Sequence, residues 1–272
     1  DQFLTIYRNV IGGTVTYGGA ANTTFIGGGA ANMAGIYVKG VSQGLIDSNV
    51  VRNSLINATG FRGIDIDAPT TDLITNLQAQ NINVTRNTIY NLGSSSGFAA
   101  GIRVGLSQTG RSILIANNTI SKIFGTGSAA LTSLSSPSGI AIESPFTAAG
   151  TINLGISIIH NTVQMSQHPS TYVSPGSYST VMYIDPRVAG VAVRNNLFSN
   201  RYGRVAAGTL SNAYIFAIGS GVANPFSEIN TNVYFVGANI NFTNNQIAIA
   251  NTTQLPSLFE LRKTYGGDAG SL

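Results

Sequence analysis

Val84-Thr-Arg-Asn-Thr-Ile89 and Ile115-Ala-Asn-Asn-Thr-Ile120 are two copies of one phrase: an apolar residue, two variable residues, Asn, one variable residue and a second apolar residue. Working outward from them, the phrase recurs at Ile6–Ile11, Val50–Leu55, Ile158–Val163, Val193–Phe198 and Phe242–Ile247. The seven Asn are Asn9, Asn53, Asn87, Asn118, Asn161, Asn196 and Asn245, with gaps running from 31 residues (Asn87 to Asn118) to 49 (Asn196 to Asn245). Recurrence at that period is the signature of a repeat architecture.

A second segment sits between most of the Asn units. It reads Gly35-Ile-Tyr-Val38, Gly63-Ile-Asp-Ile66, Gly101-Ile-Arg-Val104 and Gly139-Ile-Ala-Ile142, with Val181-Met-Tyr-Ile184 and Tyr214–Ile218 in the same place later. Short alternating runs bounded by Gly, Ser, Asn and Pro are strands. Each repeat therefore carries two or more strands and no helical periodicity. This predicts an all-β chain, a single-stranded parallel β-helix of about six to seven coils that pair through their strands. The Asn have a physical task in such a coil. A turn between two strands strands backbone N–H and C=O groups without ladder partners. An inward Asn amide carries two donors and an acceptor, so stacked Asn side chains satisfy those groups and one another.

The phrases Val84–Ile89 and Ile115–Ile120 resemble the repeat of the right-handed, pectate-lyase-like parallel β-helix superfamily, and the resemblance covers nearly the whole chain. It implies a right-handed β-helix. It does not imply one activity, because that superfamily holds lyases, hydrolases, epimerases, tailspikes and non-catalytic surface proteins. The ending Leu255–Leu272 resembles the close of β-helix modules in large secreted surface proteins of the Bacteroidetes–Chlorobi group, with Gly266, Asp268, Ser271 and Leu272 in a G-x-D-x-x-S-L phrase. That likeness implies a part of something longer, with other copies or further modules of the same large protein as partners. Residues 1–254 are expected to form the β-helix with an irregular first coil. Residues 255–272 are expected to form a short helical cap or the start of a following module.

Composition narrows the class. Charged residues are 9% of the 272, Gly counts 32, and there is no Cys. Periodic apolar residues set the chain apart from disordered sequences of low charge. Absent Cys excludes a disulfide scaffold and a thiolate site. The net charge of +4 comes from 14 basic and 10 acidic residues, without the basic cluster of a nucleic-acid binder. No apolar run is long enough for a transmembrane span. Neutral polar composition fits a secreted, extracellular or cell-surface protein. Asp1 is not an initiator Met, consistent with processing or an internal segment.

Strand alternation places side chains on the outside of the Gly-Ile strands. With Ile36/Val38, Ile64/Ile66, Ile102/Val104, Ile140/Ile142 and Met182/Ile184 inward, one outward column reads Tyr37, Asp65, Arg103, Ala141, Tyr183 and the next reads Lys39, Asp67, Gly105, Glu143, Asp185, with Arg187 just beyond. This polar face is the candidate glycan- or ion-binding site. Asp65 and Asp67 are candidate oxygen ligands for Ca²⁺, with Arg103 or Lys39 meeting an anionic sugar. As an enzyme, a polysaccharide lyase or glycoside hydrolase, the chain would use Asp65, Asp67 and Arg103. Against that stands ordinary cross-strand pairing, Asp65 with Arg103 and Lys39 with Asp67. The residues that mark catalytic members of the resembled superfamily are missing: no Asp-Asp pair, no Gly-His-Gly, and Arg187 where an Asp-Pro-His-Asp phrase needs His. A second column precedes the Asn and reads Arg8, Arg52, Arg86, Asn117, His160, Asn195, Asn244, a short basic stripe in its first three members. His160 and His168, the two histidines, have no partners at metal spacing, and no metal site is read from them. The reading is a non-catalytic structural or adhesive surface module, with a carbohydrate-active enzyme or a tailspike-like glycan-binding module as the alternatives.

Overall fold

The computed structural model describes residues 3–13, 33–56, 60–67, 79–94, 97–106, 108–125, 134–144, 150–166, 178–201, 212–219, 224–237, 245–250 and 252–272. The expected irregular opening coil at 14–32 lies outside them, as do His168, Phe242 and Asn244.

Three sheets of parallel strands run side by side along the molecule. Sheet A stacks β1 (Phe3–Tyr7), β4 (Gln43–Asp47), β7 (Ile82–Thr85), β10 (Ile113–Ala116), β13 (Ile152–Ile159), β16 (Val188–Arg194) and β19 (Phe226–Asn230) in that order. Sheet B stacks β2 (Val10–Ile11), β5 (Val50–Ile56), β8 (Thr88–Ser94), β11 (Thr119–Phe124), β14 (Thr162–Met165), β17 (Leu197–Asn200) and β20 (Val233–Val236). Sheet C stacks β3 (Met33–Lys39), β6 (Gly60–Asp67), β9 (Phe98–Gly105), β12 (Ser138–Glu143), β15 (Tyr178–Ile184), β18 (Asn212–Ile218) and β21 (Asn245–Ala250), and ends on β22 (Thr253–Leu255), which is antiparallel to β21. Each coil gives one strand to each sheet, so the described residues form a parallel β-helix of seven coils.

The repeated phrase is the corner between sheets A and B. Its first apolar residue points inward from sheet A (Ile46, Val84, Ile115, Ile158, Val193) and its last from sheet B (Val51, Ile89, Ile120, Val163, Phe198), all buried. The residue before the Asn bends the chain in the left-handed region: Arg8, Ser48, Arg86, Asn117, His160, Asn195 and Thr231 have φ between 52° and 57°. None is Gly, although this conformation costs an L-residue about 1–2 kcal/mol. The Asn that follows offsets the strain. From Asn49 to Asn232 each Oδ1 accepts the backbone N–H and the Nδ2–H of the Asn one coil earlier, at 2.9–3.0 Å. Each Nδ2 also reaches back to a sheet A carbonyl of the preceding coil, for example Asn118 to Val84 at 2.8 Å and Asn196 to Ile158 at 2.9 Å.

The ladder members are Asn9, Asn49, Asn87, Asn118, Asn161, Asn196 and Asn232. This corrects two of the sequence assignments. Asn53 lies four residues past the rung, itself left-handed at φ 53°, and accepts from Asn91 Nδ2 at 3.0 Å in a second, shorter stack on sheet B. Asn245 opens β21 in sheet C, beside Ala213. The true rungs were readable in part. Ile46-Asp-Ser-Asn-Val-Val51 fits the phrase, but it overlaps Val50–Leu55, which fits it too; Ile229-Asn-Thr-Asn-Val-Tyr234 escapes because Tyr ends it.

Gly in the Gly-Ile strands has its own cause. A Cβ on Gly63 would meet the Gly101 carbonyl oxygen at 2.5 Å, one on Gly101 the Gly139 oxygen at 2.6 Å, and one on Gly139 the Val181 oxygen at 2.8 Å. The coils approach closely there, and only a missing side chain permits it.

The far end closes with α1 (Leu258–Tyr265), whose N-cap Ser257 accepts from Glu260 N and whose C-cap is Gly266 at φ 68°. The short helix expected within residues 255–272 is present. Leu255 belongs to β22, and Phe259 is exposed while Leu261 and Tyr265 face the core. Residues 268–272 then lie along the last coil as a partial eighth one. Ser271 Oγ takes the ladder position and accepts from Asn232 N at 2.7 Å, and Leu272 N donates to Asn232 O at 3.0 Å.

Candidate functional site

The register of sheet C reproduces the first outward column, and the second as far as Glu143; Asp185 lies beyond the end of β15. Tyr37 pairs with Asp65, Asp65 with Arg103, Arg103 with Ala141 and Ala141 with Tyr183. Lys39 pairs with Asp67, Asp67 with Gly105 and Gly105 with Glu143. What alternation did not reveal is burial. Asp65 is 3% exposed, Arg103 7% and Tyr183 0%. The solvated face expected of these columns is for the most part a second interior, laid over the outside of the sheet.

Arg103 is its centre. Its Nη1 lies 2.9 Å from Asp65 Oδ1 and 3.2 Å from Asp67 Oδ1, and its Nε donates to Glu143 Oε2. Arg62 lies with its Nε 3.4 Å from Asp65 Oδ2 and its guanidinium 4.9 Å above the Phe98 ring centroid. Tyr37 OH donates to Asp67 Oδ2 at 3.1 Å. The second Glu143 oxygen accepts from Leu134 N at 3.0 Å, which ties the segment before β12 to the network. Lys39 is exposed, so the expected Lys39–Asp67 pair is replaced by Tyr37 and Arg103.

The electrostatics follow from burial and neighbours. Desolvation pushes the Asp65 carboxyl up, against the pull of Arg103 and Arg62. Burial works against the Arg103 charge too, but Asp65, Glu143 and Asp67 outweigh it and raise the guanidinium pKa. Arg103 is therefore a fixed cation, and Asp65 beside it is an ion-pair partner. Desolvation, then Asp67, pushes the Tyr37 hydroxyl up to about 12.

Ca²⁺ needs several free oxygens at one point. Here Asp65 faces Arg103 and Arg62, and Asp67 faces Arg103 and Tyr37, so all four carboxylate oxygens have partners. These residues do not fit Ca²⁺. Among the described residues no group of three or more His, Cys, Asp or Glu is placed to hold a metal ion.

The remaining predicted residues separate from this network. Tyr183 packs into an apolar cluster with Ala100, Leu134, Ala141, Tyr178 and Tyr214 on the outside of the sheet. Asp185 pairs with Arg187 in its own turn, accepting from the Arg187 backbone N and Nε at 3.0 Å each. Arg62 is the member that sequence reasoning missed. Gly63 interrupts the alternation, so counting by twos from Asp65 puts residue 62 on the wrong side.

The basic stripe is also redrawn. Ser48, not Arg52, holds the second position, and Arg52 Nη1 reaches Tyr90 OH at 3.3 Å from sheet B. Arg86 grips the buried Asp47 with two hydrogen bonds, Nε to Oδ1 at 2.8 Å and Nη2 to Oδ2 at 2.7 Å. Arg86, with help from Thr85 and Ser48, holds the Asp47 carboxyl down to about 2 against burial.

No helix among the described residues is long and apolar enough to cross a membrane. Comparison with known proteins gives no match to this chain among family models, curated proteins or solved structures.

Proposed function

We propose that this chain is a non-catalytic structural and adhesive module of a secreted bacterial surface or filament protein. The observation that carries the reading is the state of the Asp65–Asp67–Arg103–Glu143 group. A lyase or glycosidase needs carboxylates whose oxygens face substrate. Here they face Arg103, Arg62, Tyr37 and the Leu134 amide, and the network fastens an outer layer to the coils. The resemblance of the ending Leu255–Leu272 to modules of Bacteroidetes–Chlorobi surface proteins supports the same assignment. Contact with a glycan belongs at the open end of the face, where Tyr37 is 52% exposed beside the exposed Lys39.

The test has two arms. The purified chain is incubated with acidic and neutral polysaccharides, and reducing ends and unsaturated products are assayed. It is also displayed on a non-adherent cell, and attachment to glycan-coated surfaces is counted. Attachment that falls with Tyr37→Ala, without product release, is the expected result. Product release that disappears in Asp65→Asn or Asp67→Asn would move the chain to the carbohydrate-active class.

A further inference from the structure

Acidic residues are spread unevenly round the coil. From the first residue of each sheet B strand to the residue before the next sheet C strand, the sequence holds no Asp or Glu in any coil. All 10 acidic residues lie elsewhere. The same stretches carry Arg52 in β5, Lys122 in β11 and Arg201 directly after β17, in the second, fourth and sixth coils.

The strand register sets these three in a row. Arg52, Tyr90, Ser121, Gln164, Ser199 and Phe235 form one column across sheet B. Lys122 follows Ser121 by one residue and Arg201 follows Ser199 by two. The cations therefore step one residue along the strand for every two coils, on a line that slants across the sheet. Coils stack about 4.8 Å apart, so neighbouring cations stand about 10 Å apart along the line.

Lys122 and Arg201 are exposed, and Arg52 is half-buried. Among the described residues no carboxylate pairs with any of them, whereas Arg62, Arg86, Arg103, Arg187 and Arg194 each hold one. Arg52 Nη1 lies 3.3 Å from Tyr90 OH, and the Arg201 guanidinium lies 4.5 Å from the centroid of the Phe235 ring, which is 46% exposed. Beside the row, Thr88, Thr119 and Thr162 stand in register, and Gln164 is exposed. The strip thus offers cations to acid groups, hydroxyls and an amide to sugar hydroxyls, and an open ring face to sugar C–H groups. No carboxylate in these strands repels an anion. Duplex DNA carries a charge per about 1.7 Å, about six for each cation in this row. A glycan with one acid group in every two sugars is charged on the sparser scale found here.

We propose that the outer face of sheet B is a track for an acidic polysaccharide lying along the solenoid, its acid groups meeting Arg52, Lys122 and Arg201 in turn. The track is separate from the Tyr37 and Lys39 contact on sheet C, and it rests on the adhesive reading only for the source of the glycan.

The probe is hyaluronan, which has one carboxylate in every two sugars, titrated as oligosaccharides of defined length against the whole chain by isothermal calorimetry at low salt. Saturable binding is expected, strengthening up to the oligosaccharide with three carboxylates and weakening as salt is added. Lys122→Gln and Arg201→Gln each weaken it about threefold and together about tenfold, the scale of exposed ion pairs, at unchanged Tm. Lys39→Gln leaves it unchanged. No saturable binding, binding indifferent to the double substitution, or equal binding of single-stranded DNA or of anionic lipid vesicles would overturn the proposal. Hyaluronan binding without attachment in the display assay would keep the track and remove the adhesive function; attachment that depends on Tyr37, without hyaluronan binding, would do the reverse.

Discussion

Replacing Asn118 by Ala tests the ladder in the middle of the stack. Asn118 Oδ1 accepts from Asn87 N at 2.9 Å and Asn87 Nδ2 at 3.0 Å, and its own Nδ2 donates to Val84 O at 2.8 Å and Asn161 Oδ1 at 3.0 Å. Not all of these partners are stranded by the change. Asn161 Oδ1 keeps the Asn118 backbone N–H, and Asn87 Nδ2 keeps Ile46 O. The Asn87 N–H loses its acceptor outright, whereas the Val84 carbonyl keeps its donor in the β7–β10 ladder, and the site is 1% exposed. A buried polar group left without a partner costs about 1–3 kcal/mol, so Asn118→Ala is expected to destabilise by about 2 kcal/mol. For a chain of this size that is a fall in Tm of about 4–8 °C. Asn118→Ser should fall about half as far, because a hydroxyl still accepts at this position, as Ser271 does from Asn232. Circular dichroism melting gives Tm, and hydrogen exchange at the Asn87 amide reports the rung locally. An alanine variant melting within about 1 °C of wild type, with Asn87 still protected, would refute the account of the ladder.

Other outcomes follow from the same contacts. Asn49→Ala should lower Tm more than Asn53→Ala, because both bond the coils on either side but Asn49 Oδ1 accepts two N–H groups, one of them a backbone amide, where Asn53 Oδ1 accepts one side-chain N–H. The Asp47 carboxyl is held at about 2, below its ordinary 3.8, so the stability it contributes is full above about pH 3.8 and is lost as pH falls through about 2. Melting curves from pH 5 to pH 2 should show a shallower acid decline in Asp47→Asn than in wild type. Arg103→Ala leaves buried carboxylates without their main counter-charge and should cost about 3–5 kcal/mol at neutral pH. Part of that loss should return on acidification, because burial raises the Asp65 carboxyl and neutralises it early; chemical denaturation at two pH values checks both signs. Gly101→Ala should destabilise by about 1–3 kcal/mol through the clash with the Gly139 carbonyl, read as a lower denaturation midpoint.

The corner phrase was legible because it is both periodic and chemical. Val84–Ile89, Ile115–Ile120, Ile158–Val163 and Val193–Phe198 put the same two apolar side chains inward and the same amide in the turn. Where two such phrases overlap, as around Asn49 and Asn53, pattern alone does not choose, since both Asn are structural and only the left-handed bend at Ser48 marks the rung. The outward columns on sheet C were legible as columns, because Gly35, Gly63, Gly101 and Gly139 fix their register. Their burial was not. It depends on segments such as Leu134–Pro137 folding back over the sheet, and strand alternation describes which side a residue faces, never what covers that side.

The rungs keep one geometry while the chain between them does not keep one length. Bonded neighbours are separated by 40, 38, 31, 43, 35 and 36 residues, yet the backbone N to Oδ1 distance stays at 2.9–3.0 Å. Loop closure grows only logarithmically with length, so added residues between coils weigh little against a bonded rung. A gene encoding such a chain is free to gain and lose loop sequence between corners, or to duplicate a whole coil, without renegotiating the core. Diversity of surface and constancy of axis are inherited separately.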